Sequence, residues 1–363
     1  MAMITLFTSN MSGGIIQLAV QLLGTISELH KEVCCFMPKG TVASVPDALY
    51  PKVHFYEKFK TLNPIDRRLK ILADAVLDTS PELIWYVDSS ILSLEVSLQI
   101  RSRTKQLLTL HDAGTWHPSN TVNLRKKIQM KYSGCLINRS MKAVSNILVL
   151  SEESRKVCIQ QYPHLSDKIM LMTLGAHIPD IKEKMPEELS DLTGTYFLFF
   201  GRIDKYKGIK GMCDTYSQLD GKKYPLVIAG NGTLAKDEQI AINADTNITL
   251  INRYISDKEM IWLFKHAKAV ILPYIEATQS GIIPIAYKYG LPVVISNVPG
   301  LMQFVDNGKT GFVCSTGHDY IHAFKKMDDE KNYSRMQSYC LNYSEMYLSW
   351  NANVMDLIKS IGI

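Results

Sequence analysis

Two cations, Arg202 and Lys207, stand in the run Gly201-Arg202-Ile203-Asp204-Lys205-Tyr206-Lys207-Gly208, directly after the apolar stretch Tyr196–Phe200. Glycines at both ends let the backbone turn tightly, while the cations project from the carboxyl end of what reads as a buried parallel strand. Arginine offers a flat fork to phosphate oxygens and lysine a mobile point charge, so the chemistry suited here is binding of a phosphate or diphosphate. A second element of this kind spans residues 268–296. An apolar strand (269–272) gives way to the polar turn Glu276-Ala277-Thr278-Gln279-Ser280-Gly281, a helix closed by Gly290, and another apolar strand (292–295). Ser280-Gly281 allows close backbone approach to a ligand, and the helix that follows aims its free amides at it. Gly290 suits a left-handed helix end, and Pro292 bars continuation.

Such loops need a sheet to hold them. Short apolar runs alternate with helical patterns along all 363 residues. In the first half they lie at 4–8, 33–37, 53–56, 83–87, 107–110, 147–150 and 169–172. In the second they lie at 196–200, 226–229, 248–251, 269–272, 293–295 and 312–314. This alternation predicts an α/β chain of two Rossmann-like, doubly wound domains facing a cleft. The polar, acidic stretch 181–195, with Pro186, reads as the linker between an amino-terminal domain (1–180) and a carboxyl-terminal one (196–340). Residues 341–363 form a terminal helix expected to cross back to the first domain, or an ordinary amphipathic end helix. After the cation loop, Ile209, Met212, Tyr216 and Leu219 recur at helical spacing.

Composition excludes several classes. The seven cysteines are scattered without a paired CxxC framework, which argues for reduced thiols and against a zinc site. No apolar run reaches the roughly 18 residues of a membrane span, and the first residues, MAMITLFTS, lack the cationic segment of a secretory signal. A cytoplasmic protein is expected. Its charge is uneven: residues 1–180 hold 20 Lys/Arg against 15 Asp/Glu, whereas 181–363 hold 20 of each. Within 101–150 nine cations face one carboxylate, Asp112. Residues 124–132 read as a basic amphipathic helix, with two readings: an anchor on an anionic membrane surface or a solvated face. No nucleic-acid-binding module accompanies the patch, so nucleic acid is not an expected partner.

Taken as a set, the second-half motifs resemble the carboxyl-terminal half of retaining GT-B glycosyltransferases, the large family-four group of nucleotide-sugar enzymes. The resemblance runs almost continuously from Phe197 to Val313. It covers the Gly201-Arg202…Lys207-Gly208 turn, Leu226-Val227-Ile228-Ala229-Gly230-Asn231-Gly232, and Ile255-Ser256-Asp257-Lys258-Glu259. It continues through Pro273…Ser280-Gly281, Gly290-Leu291-Pro292-Val293-Val294, Gly300 and Asp306–Val313 written as DNGKTGFV. It implies transfer of a sugar from a nucleoside diphosphate sugar, UDP- or GDP-linked, to a saccharide or lipid-linked acceptor with retained anomeric configuration. Surface polysaccharide or glycolipid synthesis is the implied setting.

The resemblance also assigns residues. Arg202 and Lys207 would stabilise the departing diphosphate, where fixed donors lower the barrier most, and no metal or other cofactor is then needed. Gly201, Gly230, Asn231, Thr278, Gln279, Ser280 and Gly281 would line the donor site. The nucleobase would pack near Tyr254-Ile255, Tyr254 either stacking on it or plugging the core, just before a helix start marked by the Ser256/Glu259 capping box. In the first half, Gly13-Gly14 after the first strand would face the donor phosphates or the acceptor, and His111 past the strand 107–110 would contact the transferred sugar. The family's pair of glutamates across the second loop falls on Ala277 and Ile285. Glu276 is one residue from the first position, and nothing replaces the second. Two alternatives stay open: an inverting enzyme with His111 or Asp112 as general base, and a non-catalytic nucleotide-sugar-binding scaffold. A dinucleotide oxidoreductase is disfavoured, since neither half has G-x-G-x-x-G after its first strand.

Overall fold

The computed structural model describes residues 3–11, 14–41, 45–60, 65–111, 124–176, 178 and 181–363, with the backbone alone for 124–130. Gly13, Asp112 and the side chains of 124–130 therefore lie outside the described residues. The chain divides into two compact units, Met1–Thr173 with Trp350–Ile363, and Leu174–Ser349.

In the first unit the order is β1 (Met3–Phe7), α1 (Gly14–Glu28), β2 (Glu32–Pro38), β3 (Val53–Tyr56), α2 (Arg67–Leu77), β4 (Leu83–Tyr86), α3 (Ile91–Ile100), β5 (Lys105–Leu110), α4 (Leu124–Ala143), β6 (Asn146–Val149), α5 (Glu152–Gln161) and β7 (Ile169–Leu171). The second unit runs β8 (Tyr196–Phe200), α6 (Ile209–Ser217), β9 (Leu226–Gly230), α7 (Lys236–Asn243), β10 (Ile248–Asn252), α8 (Asp257–His266), β11 (Ala267–Leu272), α9 (Ile282–Lys288), β12 (Val293–Ser296), α10 (Pro299–Met302), β13 (Gly311–Cys314), α11 (Gly317–Lys326) and α12 (Glu330–Tyr347). The last helix, α13 (Trp350–Ser360), belongs to the first unit.

All thirteen apolar runs of the sequence are strands, and every strand pairing is parallel. The orders are β3-β2-β1-β4-β5-β6-β7 and β10-β9-β8-β11-β12-β13. Each sheet therefore reverses direction of growth once, between β1 and β4 in the first and between β8 and β11 in the second. Crossovers on either side of such a point lead the chain away in opposite directions, and the crevice left at the carboxyl ends of the two strands is where open α/β sheets bind ligands. The two loops singled out from the sequence, 201–208 and 273–281, leave β8 and β11 at that point of the second sheet.

Residues 181–195, expected to be the linker, pack within the second unit. Leu189 is buried in its core, and the Lys184 amide donates to the Lys258 carbonyl. The unit boundary falls earlier, at Thr173/Leu174. Helix ends follow local chemistry: Ser256 and Glu259 form the capping box of α8, and α9 ends with Leu291 N–H to Ala286 O and Gly290 N–H to Tyr287 O, with Gly290 at φ +66°. Within the first unit Val354, Leu357 and Ile358 of α13 are buried, and Asn353 Nδ2 donates to Thr173 O.

The switch point of the first sheet is tied by a residue the sequence reading passed over. Asp88, two residues past β4, is 2% exposed. Its Oδ2 accepts from Thr8 Oγ and the Ser9 amide, and its Oδ1 from the Ser90 amide and Ser93 Oγ. One carboxylate thus joins the end of β1 to the start of α3. Burial alone would raise its pKa, but the hydrogen bonds from Ser93, Thr8 and Ser90 outweigh that and hold it below the usual carboxylate value. Since the folded pKa lies below the unfolded one, this stabilisation is complete above the ordinary carboxylate range and fades as pH falls through the folded value. Asp88→Ala should lower unfolding free energy by about 3 kcal/mol at neutral pH, by stranding four donors. In denaturant titrations the gap between wild type and Asp88→Asn should shrink below about pH 4; a gap independent of pH would show that the charge contributes nothing.

Candidate functional site

The loop after β8 is shaped by backbone contacts. The Gly201 amide donates to Ala229 O and the Ile203 amide to Asn231 O, at 3.0 and 3.1 Å, so the first residues of the loop continue the pairing with β9. A Cβ on Gly230 would lie 1.8 Å from Gly201 O, and one on Gly232 would lie 1.8 Å from Ile203 O. The sequence placed Gly230 and Asn231 along the donor site; the structure shows Gly230 and Gly232 in close approach to the neighbouring loop. A short 3-10 turn, Lys205–Lys207, then ends at Gly208 in the left-handed region, φ +68°. A Cβ there would sit 2.0 Å from Pro273 O.

That contact brings in the second loop. Ile275 N–H donates to Tyr206 O at 2.8 Å, so the loops after β8 and β11 are joined through their main chains. Tyr274, 1% exposed, lies under the junction with Lys207 Nζ 3.5 Å from its ring centroid. The Tyr206 ring is 4.8 Å from the same nitrogen. Tyr274 also hydrogen-bonds Ser280 through their side chains, and Ser280 Oγ accepts from the Ile282 amide that opens α9. Tyr274 therefore fixes a cation on one loop and a hydroxyl on the other. The sequence signal was slight: an aromatic residue two positions after a buried strand.

Loss of water around Lys207, then the charge of Arg202, push its pKa down to about 7. Arg202 itself is exposed. An anion arriving between them would relieve their repulsion and return Lys207 to its charged form. The structure thus sets the two cations on one loop, in mutual electrostatic contact, at the switch-point edge of the second sheet.

The remaining expected positions separate. Thr278 and Gln279 are half-buried, Ser280 is buried, and Glu276 is exposed. Gly281 has an ordinary helical backbone (φ −69°), and a Cβ there would meet open space; neither the fold nor a left-handed turn requires the glycine. Ala277 and Ile285, which stand where the resembling family has glutamates, pack against the hydrophobic core. A Cβ on Gly300 would sit 2.2 Å from Ala277 O, so this part of the loop is pinned. Tyr254 is 56% exposed, which removes the core-plug reading, while Ile255 is buried. Beside them Arg253 is held by Glu188 and Glu259, each at 2.8 Å, and this pairing pulls Glu259 down to about 2.

His111 and Gly14 belong to the first unit. His111 Nε2 lies 2.8 Å from Val87 O; a carbonyl only accepts, so Nε2 carries a proton. Gly14 opens α1, and a Cβ on it would meet nothing within 4 Å. Among the described residues no group of three His, Cys, Asp or Glu side chains is placed to hold a metal, and no helix is long and apolar enough to cross a membrane.

Residues 180–340 match the family model described as glycosyl transferases group 1. The chain is 25% identical to D-rhamnosyltransferase WbpZ of Pseudomonas aeruginosa over 52% of this chain and 51% of that one. It is 23% identical to O-antigen chain mannosyltransferase RfbU of Salmonella typhimurium over 62% of this chain and 65% of that one. The chain thus spans between half and two thirds of the length of these curated relatives. Among solved structures, Anabaena Alr3699/HepE in complex with UDP aligns over 99% of both chains with a TM-score of 0.74 at 14% identity. Sucrose-phosphate synthase from Thermosynechococcus elongatus aligns over 99% of this chain and 98% of that one, with a TM-score of 0.74 at 15% identity. The fold is GT-B, and the match to the group 1 glycosyl transferase model falls within the carboxyl-terminal unit.

Gly208→Ala tests the loop junction directly. A left-handed residue and a backbone overlap combine there, so the substitution should destabilise the second unit by about 2 kcal/mol or more. Thermal unfolding would read this, and an unchanged melting temperature would mean that the loops are not locked as described.

Proposed function

We propose that this chain is a glycosyltransferase that moves a sugar from a UDP- or GDP-linked donor to a saccharide or lipid-linked acceptor, in synthesis of a surface polysaccharide or glycolipid. The observation that carries the reading is the paired cation loop, Arg202 and Lys207, at the switch point of a sheet whose unit matches a glycosyl transferase domain. The UDP complex of the Anabaena structural neighbour and the O-antigen relative support a nucleotide-sugar donor and a saccharide acceptor.

Cleavage of the anomeric carbon–oxygen bond leaves negative charge on the departing diphosphate. Arg202 and Lys207 neutralise it as it develops, with the Ser280 hydroxyl and nearby loop amides as further donors. These cations take the place that a metal holds in other phosphoryl and glycosyl chemistry, and the proposal includes no metal. Gly201, Gly230, Asn231, Thr278, Gln279 and Gly281 shape the donor site, with Gly13 and Gly14 contributing from the first unit. Exposed Tyr254 stacks on the base while the Ile255 main chain meets its edge. His111 contacts the transferred sugar through Nδ1, and Glu276 takes the sugar hydroxyls in place of the glutamate replaced by Ala277. Retention of configuration is part of the proposal, by same-face attack without a protein nucleophile. The cytoplasmic membrane face is the proposed location, with α4 lying on anionic lipid; its continuous helix from Leu124 and the basic sequence 124–132 support this.

The low pKa of Lys207 gives the proposal a pH signature. Below about pH 7 the lysine is charged before the ligand arrives; above it, binding a diphosphate must recruit a proton. UDP or GDP affinity should therefore fall as pH rises from 7 towards 9, and calorimetry at pH 8 in buffers of different ionisation enthalpy should show net proton uptake. Lys207→Met should abolish the uptake and weaken binding. Arg202→Ala should lower kcat/KM by about two to three orders of magnitude, and NMR of the new linkage should show the donor's anomeric configuration. Binding without transfer to acceptor or water would instead establish a scaffold.

A further inference from the structure

The first unit contains a cavity of about 500 Å3 that the donor chemistry does not use. It lies between the last turns of α3 and the second half of α4, lined among others by Glu95, Arg101, Arg103, Tyr132, Cys135 and Arg139. Residues 101–103 lead into β5, and α4 leads into β6, so the cavity is at the amino edge of the first sheet. Asp88 and His111 are at the opposite, carboxyl edge. The volume is that of a small-ligand site.

Its chemistry is built rather than incidental. Glu95 is 2% exposed, and Tyr132 donates to its Oε1 at 2.7 Å. The other oxygen, Oε2, is buried with no hydrogen-bond partner. A half-satisfied buried carboxylate is costly, and such atoms call for an explanation. Burial pushes the Glu95 carboxyl above its ordinary value, the Tyr132 bond working against the rise. Three arginines line the same cavity. Arg101 is held firmly: its carbonyl accepts from Gln106 Nε2, Gln106 is fixed by Tyr86, and Arg101 Nε donates to Leu98 O. Arg103 makes a loose 3.7 Å contact with Asp74, and Arg101, Arg103 and Arg139 are all exposed. An unpaired acceptor and guanidinium forks lining one cavity define the ligand: an anion at one end and a hydrogen-bond donor at the other.

We propose that this cavity is a second binding site, for a small phosphate ester carrying an ammonium or hydroxyl group, with the phosphate on Arg101, Arg103 and Arg139 and the donor on Glu95 Oε2. Amino-alcohol and polyol phosphates have this chemistry, either as free solutes or as the headgroup of a membrane lipid.

Two assays on the full chain separate the sources: calorimetric titration with phosphoethanolamine and glycerol phosphate, and flotation with phosphatidylcholine vesicles with or without phosphatidylethanolamine or phosphatidylglycerol. Saturable binding is expected in at least one arm; the solutes alone indicate a free metabolite, the vesicles alone a lipid headgroup. Glu95→Gln is the decisive variant. General attraction of a basic surface for anions would be unchanged or strengthened by removing a negative charge, whereas the proposed site should lose affinity by about tenfold. Arg139→Ala, at an exposed position, should weaken binding comparably without affecting folding, and circular dichroism with melting temperature checks both variants. Absence of binding in both arms, or binding that survives Glu95→Gln and Arg139→Ala, overturns the proposal.

Discussion

The second unit depends on main chains meeting without side chains between them. Gly230 lies against Gly201 O, Gly232 against Ile203 O, Gly208 against Pro273 O and Gly300 against Ala277 O. Each contact is closer than a Cβ could tolerate. Together they fuse the loops after β8, β9 and β11 and the start of α10 into a single surface at the carboxyl edge of one sheet, and its cations inherit that rigidity. Preorganised charge is worth more than mobile charge because nothing must reorganise when the reaction occurs. The glycines serve the site by packing the protein against itself.

Lys207 shows how this scaffold sets a chemical property. Its ammonium rests on the Tyr274 ring beside Arg202, where loss of water and a like charge both disfavour protonation. An aromatic face stabilises a cation only partly. At neutral pH the free protein therefore holds Lys207 near the midpoint of its titration, and an anion placed beside it would favour the charged form.

The sequence conveyed the layers well. Continuous apolar runs of three to five residues mark the strands, most of them buried, and all of them formed parallel sheets. The cation loop was legible because glycine and basic residues announce themselves by type. What escaped were long-range partnerships. Asp88 looked like any aspartate after a strand, since Thr8 and Ser9 are some eighty positions away. Glu95 sat unnoticed in an apolar helix whose partner residue, Tyr132, comes 37 positions later. Tyr254 was ambiguous because an aromatic side chain beside a buried isoleucine has no periodicity to say which way it faces. Residues 181–195 read as linker from polarity alone, although Leu189 anchors them in the core and Glu188 pairs with Arg253.

The final helix has a consequence for synthesis. The second unit is one unbroken stretch, Leu174–Ser349, whereas the first needs residues from both sides of it. On the ribosome, the later-encoded unit can finish its core while the earlier one still lacks α13. Until those residues emerge, the face of α1 that meets α13 is uncovered, and Lys105 Nζ awaits the Ile361 carbonyl. Chains commonly fold in the order they are made; here the unit begun first is the one completed last.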